Sequence, residues 1–189
     1  WGLRFDMNYY YWPKDWIRGR AGFMTGSGLP MRFFDPQGEL IDVYQQETHL
    51  VDEVFFAHPE RVDTLIARAV GPEGYYGAFG THYDFHNAFD ELLIRVAQKW
   101  QIPMVSAQQM LDWQDGRSSS NAQVLGCDSG RLKLSISADK RTHGMLTTML
   151  PLHSSAGELS AITSDGEEIL FKTETLKGIT YALFPGKSG

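Results

Sequence analysis

Apolar residues recur along this chain in two textures that meet near Gly116. Before it, runs alternating on a two-residue period are mixed with runs on a three-to-four-residue period. After it, only short two-residue runs remain. In the first texture, Leu3–Phe5 predicts a strand entering the aromatic tract Tyr9-Tyr10-Tyr11-Trp12, and the Gly-rich residues 19–30 predict a loop. Met31–Phe34 and Leu40–Tyr44 predict strands around the turn Asp35-Pro36-Gln37-Gly38. His58-Pro59 opens a helix, with proline at a position where its missing N–H costs nothing. Val62, Leu65, Ile66 and Ala69 share one face of that helix, and Gly71-Pro72 stops it. Tyr75–Thr81 predicts a buried strand. Asn87 then caps a helix whose stripe is Phe89, Leu92, Leu93, Val96 and Trp100. Ile102–Val105 predicts a last short strand, and Ser106 caps a helix through Trp113.

From residue 74 to 114 this order is β-α-β-α with short connections, which predicts neighbouring parallel strands. Arg4 and Asp6, Glu47, His82 and Ser106 then stand at the carboxyl ends of four strands, the edge where α/β barrels and open sheets gather their active sites. Beyond the polar linker Arg117–Asn121, six short strands are predicted: Gln123–Gly126, Arg131–Ser137, Met145–Leu150, Leu159–Thr163, Glu168–Thr173 and Ile179–Phe184. Ser164-Asp165-Gly166 marks a hairpin turn. The expected fold class is α/β plus all-β: an α/β barrel portion over residues 1–116, then a small β-sandwich over 117–189.

Composition narrows the function classes. Hydrophobic content of 42% and charged content of 21% are those of an ordinary globular chain. A net charge of −6 without a basic stripe argues against nucleic acid as a partner. No apolar run reaches the ~18 residues of a membrane span. The single Cys127 excludes an intrachain disulfide framework and a cysteine-based zinc cage. The chain opens inside an apolar run, Trp1-Gly2-Leu3, which reads as part of a longer polypeptide. Half a barrel exposes a sheet edge and an apolar face, so the isolated segment is expected to aggregate without its other half.

The candidate chemistry centres on Gly80-Thr81-His82-Tyr83-Asp84-Phe85-His86. Histidine titrates near neutrality, and a nearby carboxylate orients it. His82 is therefore a candidate general acid or base, with Asp84 and His86 as support or surface. The H-x-D-x-H spacing also permits metal ligation, although a capping, solvated loop is the commoner meaning of such a sequence. Arg4 and Asp6 alternate with Phe5 and are a candidate orienting pair or a plain salt bridge. Tyr10 and Trp12 are candidates for stacking on sugar rings, and Glu47 with His49 for lining the same cleft or an exposed loop. There is no G-x-S-x-G, Walker loop, dinucleotide fingerprint or H-E-x-x-H.

Residues 80–113, GTHYDFHNAFDELLIRVAQKWQIPMVSAQQMLDW, resemble the end of a polysaccharide deacetylase domain of the NodB-like carbohydrate esterases. That family closes with a strand, a His-containing loop, a helix, and a short strand running into a helix; Pro103–Leu111 corresponds to the last two. Gly2–Trp12 and the aromatic, Gly-rich region after it are similar to deacetylase-like domains of large secreted bacterial proteins, and the resemblance spans about residues 1–115. It implies that His82 is the general acid on the leaving group and that Arg4 orients a catalytic aspartate. It also implies a divalent metal, zinc or similar. The family's Asp pair and its H-[ST]-x-x-x-H motif are absent from this sequence, so base and metal ligands are expected mostly outside it.

The expectation is thus part of a secreted or cell-surface enzyme hydrolysing N- or O-acetyl groups on a polysaccharide, with catalytic residues His82, Arg4 and Asp6. Substrate contacts are assigned to Tyr10, Trp12, Glu47 and Asp84. The expected partners are the glycan and the N-terminal half of the same protein. The alternative is a non-catalytic glycan-binding or structural surface protein on a degenerate barrel. A glycoside hydrolase needs two carboxylates across the scissile bond, for which Asp6 and Glu47 are the only rim pair.

Overall fold

A computed structural model describes residues 2–9, 28–52, 59–72, 77–82 and 88–186. The chain divides into two compact units, Trp1–Val105 and Ser106–Gly189.

Among the described residues the first unit is built on a three-stranded sheet in the order β1-β2-β3, with β1 Phe5–Tyr9, β2 Tyr44–Val51 and β3 Gly80–His82. Both pairings are parallel. Helix α1, Pro59–Val70, connects β2 to β3, and α2, Ala88–Trp100, follows β3. The apolar stripes read from the sequence are the ones buried. Val62 and Ile66 of α1 and Phe89, Leu93 and Val96 of α2 close over Leu50 of β2, with Phe79, Trp100 and Ile102 at the margin. Asp63 ties the two helices, accepting from Lys99 Nζ at 2.8 and 2.7 Å and from Trp100 Nε1 at 2.7 Å.

The predicted turn at Asp35–Gly38 is present. Its Asp35 carboxylate accepts from the Gln37 and Glu39 amides, and Gly38 takes a φ of 86°. The flanking segments form isolated bridges, Phe34–Leu40 with one another and Met31–Gln45 with β2, rather than strands.

In the second unit Ser106 caps α3, Ala107–Ser119, through a reciprocal capping box with Gln109. The helix runs past Trp113 and takes up Arg117–Ser119 of the expected linker. Gly116 lies buried inside it rather than at a boundary, because a Cβ there would stand 2.8 Å from the Thr142 nitrogen. Thr142 belongs to a short 3-10 helix, Lys140–Thr142, capped by Asp139.

Among the described residues nine strands follow α3: β4 Asn121–Asp128, β5 Arg131–Ser137, β6 Thr147–Pro151, β7 His153–Ser154, β8 Gly157–Glu158, β9 Ile162–Ser164, β10 Glu167–Ile169, β11 Lys172–Leu176 and β12 Ile179–Pro185. They form one antiparallel sheet, β11-β12-β6, and three ribbons, β4-β5, β7-β8 and β9-β10. Three hairpins turn on two residues with positive φ: Ser129-Gly130, Asp165-Gly166 and Lys177-Gly178. Two consecutive positive φ values match the strand twist, so these turns close two-residue hairpins.

The structure corrects the expected fold class. No α/β barrel is present among the described residues: the parallel strands number three, in one open sheet, and the rest pair in small antiparallel sheets. The decisive local difference is Ile102–Val105, which forms no strand and leaves Met104 and Val105 exposed. The residues between α2 and α3 therefore supply no second parallel strand, and the β-α-β unit formed is β2-α1-β3. The β-sandwich is corrected as well. A sandwich layer buries one face, whereas every residue of β4 is exposed.

Candidate functional site

Strand β2 reads Tyr-Gln-Gln-Glu-Thr-His-Leu-Val, too polar for its sequence alone to announce a central strand. Successive side chains point to opposite faces of a sheet. Leu50 packs under α1 and α2. Glu47 and His49, two residues apart, bring their side chains together on one side of the strand, ahead of a register shift between Thr48 and Leu50. Both are polar yet buried: Glu47 is 1% exposed and His49 6%. The expectation that Glu47 lies on a rim past a strand ending near Gln45 is therefore corrected; the strand begins at Tyr44, and Glu47 sits in its middle.

His49 has a partner at each nitrogen. Its Nδ1 accepts the Gly80 N–H at 3.3 Å, so the ring proton of the neutral form is on Nε2. Nε2 faces Glu47 Oε2 at 3.7 Å, too long for a direct hydrogen bond. The imidazole also meets Phe79 edge to face, with ring centroids 5.5 Å apart.

The segment 77–82 is held against β2 at further points. Gln46 Nε2 donates to the Ala78 carbonyl at 3.0 Å, and the Ala78 amide donates to the Gly28 carbonyl. Gly80 approaches so closely that a Cβ would fall on the Glu47 carbonyl oxygen. On the other side of β2, Thr48 Oγ1 donates to the Met7 carbonyl at 2.6 Å. Among the described residues Gln46 Oε1 has no hydrogen-bond partner.

His82 ends β3, exposed, beside Val51 at the end of β2. It is the expected strand-end histidine, at the carboxyl edge of the sheet. Arg4 and Asp6 are not with it. Phe5 is in register with Tyr44 and Asp6 with Gln45, so both residues stand at the amino end of the sheet, about 20 Å from His82 at ~3.3 Å per strand residue. Among the described residues the two do not pair with one another. Arg4 meets Asp42 at 3.4 Å, which Arg32 also approaches at 3.4 Å. Asp6 accepts from the Asn8 amide and from Gln45 Nε2. Tyr10, Trp12, Asp84, His86 and Asn87 lie outside the described residues.

Among the described residues no three groups of His, Cys, Asp or Glu come together to hold a metal. Glu47 and His49 are two donors, and one nitrogen of His49 is already committed to Gly80. The described residues therefore do not fit a metal site. No helix among them is long and apolar enough to cross a membrane.

The sequence places Gly80 inside the predicted strand Tyr75–Thr81 and at the start of the Gly80–His86 motif, and His49 in a cleft or loop, with nothing to link the two. The usable signal for both was the odd-numbered set Gln45, Glu47 and His49 lying between Tyr44 and Leu50, an alternation hidden by polar residues on both faces. Compared with known proteins, the chain has no significant match to a family model, to a curated protein or to a solved structure.

Proposed function

We propose that the first unit carries the acid–base histidine of a carbohydrate-active hydrolase, and that the reaction removes N- or O-acetyl groups from a glycan at or outside the cell surface. The observation that carries this reading is the position of His82, an exposed imidazole at the carboxyl edge of an open parallel sheet. Ligands of such sheets bind at that edge, and imidazole exchanges protons near neutral pH. The resemblance of residues 80–113 supports the choice of reaction.

In the proposed step, water adds to the acetyl carbonyl and gives up a proton to a base. The tetrahedral adduct collapses, and the bond from carbon to the sugar nitrogen or oxygen breaks. His82 delivers its proton to that departing atom, leaving acetate and a free amine or alcohol. The base of such a site is not found among the described residues, and no step is drawn through a metal.

The test is acetate release from N-acetylated and O-acetylated oligosaccharides by the native polypeptide that contains this chain. His82→Ala is expected to lower turnover about 10²–10⁴-fold, the range of general acid catalysis. Undiminished turnover in that variant removes His82 from the chemistry. Oligosaccharide binding without acetate release by the unaltered protein favours a non-catalytic glycan-binding surface protein.

A further inference from the structure

We propose that His49 is the positioning residue of His82, acting through the backbone of β3, with Glu47 holding its ring in the required tautomer. The inference rests on the reading of His82 as the proton donor.

Two observations carry it. The first is the bond from the Gly80 N–H to His49 Nδ1 at 3.3 Å, buried in the sheet. A backbone amide two residues before His82 is thereby tied to a side chain of the central strand. Two residues span about 7 Å of strand, so the imidazole of His49 sets the height at which β3 delivers His82 to the edge. The second is the fit of Gly80 itself. Only a residue without a Cβ comes this close to the Glu47 carbonyl, so β3 has no slack toward β2. The bond from His49 then holds β3 against moving away.

Glu47 completes the device. An Nδ1 that accepts from Gly80 requires the neutral ring with its proton on Nε2, and the carboxylate 3.7 Å from Nε2 favours that tautomer. Phe79, edge-on to the ring, fixes its plane. Neither His49 nor Glu47 is exposed enough to touch a glycan, so both act through β3 and not on substrate.

The experiment compares His49→Leu, His49→Asn and His49→Gln in the native polypeptide that contains this chain. Asparagine places an oxygen near the position of Nδ1 and keeps the acceptor for Gly80; glutamine reaches toward the position of Nε2 and does not. Amide exchange is read by mass spectrometry over 77–82, 59–70 and 88–100, and kcat and KM are read on the acetylated oligosaccharide. In His49→Leu, exchange over 77–82 is expected to rise about tenfold, the loss of one buried hydrogen bond, with both helices unchanged. Its kcat is expected to fall about tenfold at constant KM. His49→Asn restores both and His49→Gln neither.

Unchanged exchange over 77–82 in His49→Leu overturns the proposal. So does a rise shared equally by the two helices, or equal behaviour of the Asn and Gln variants. Should the leucine variant not fold, the contrast between Asn and Gln decides alone. Absence of acetate release by the unaltered protein removes the hydrolytic reading and with it the role toward His82, while the exchange data still report whether His49 holds β3.

Discussion

Replacing Gly80 with alanine tests how β3 is seated. The added Cβ falls on the Glu47 carbonyl oxygen, a backbone atom of the central strand that has no rotamer by which to retreat. Relief requires β3 to move away from β2, at the ~1–3 kcal/mol that overpacking costs. The same movement stretches the Gly80 N–H bond to His49, already 3.3 Å long, and leaves a buried imidazole nitrogen without its donor, at about 1–3 kcal/mol. Alanine regains roughly 0.5–1 kcal/mol because it restricts the unfolded chain more than glycine does. The penalties outweigh the gain, and the first unit is expected to lose about 2–4 kcal/mol. The assay is urea unfolding of the first unit, followed by amide exchange along α2, whose Phe89, Leu93 and Val96 are buried in the core. A change under about 0.5 kcal/mol, the size of an ordinary surface substitution, or a gain in stability refutes the close seating of β3 and with it the clamp on His82.

Two further outcomes follow from other contacts. Hydrogen bonds from Lys99 and then Trp100 hold the Asp63 carboxyl below its ordinary pKa. A depressed folded pKa means that the tie between α1 and α2 is complete above the ordinary carboxylate value of ~3.9 and is lost as pH falls through the lower folded value. An acid titration followed by indole fluorescence should show this loss in the unaltered chain and not in Asp63→Asn; coincident curves refute it. In Gly116→Ala the helix gains up to ~1 kcal/mol of propensity. Its Cβ, however, meets the Thr142 nitrogen at 2.8 Å and the Arg141 carbonyl carbon at 3.0 Å. Overpacking against backbone, about 1–3 kcal/mol, outweighs the propensity, so urea unfolding of the second unit should shift to lower concentration; a higher midpoint refutes the packing.

The helices were legible because their burial is apolar and periodic. Val62, Ile66 and Ala69, and Phe89, Leu93 and Val96, repeat every three or four residues, and only a helix puts them on one face. Ser106 was legible as a cap because the capping box is completed within four residues of chain. The Asp165-Gly166 turn was legible because its residue types already favour positive φ, whereas the Lys177-Gly178 turn offers that signal only in its glycine.

Strand β2 was misplaced for the opposite reason. Its residues from Gln45 to His49 are polar, and their burial depends on what lies on either side of the sheet. Ile102–Val105 looked like a strand from its own residues, but a strand exists only with a partner, and none of the described strands pairs with it. His82 was found because it stands at the end of a recognisable motif. The role of His49 is not legible in the sequence, because its bond to Gly80 joins positions 31 apart in the chain. Local periodicity and turn chemistry lie within a few residues of one another, and these the sequence determined by itself. Which strands pair, which polar side chains are buried, and whether Arg4, Asp6 and His82 share an edge depend on contacts between distant segments, and only the tertiary structure decided them.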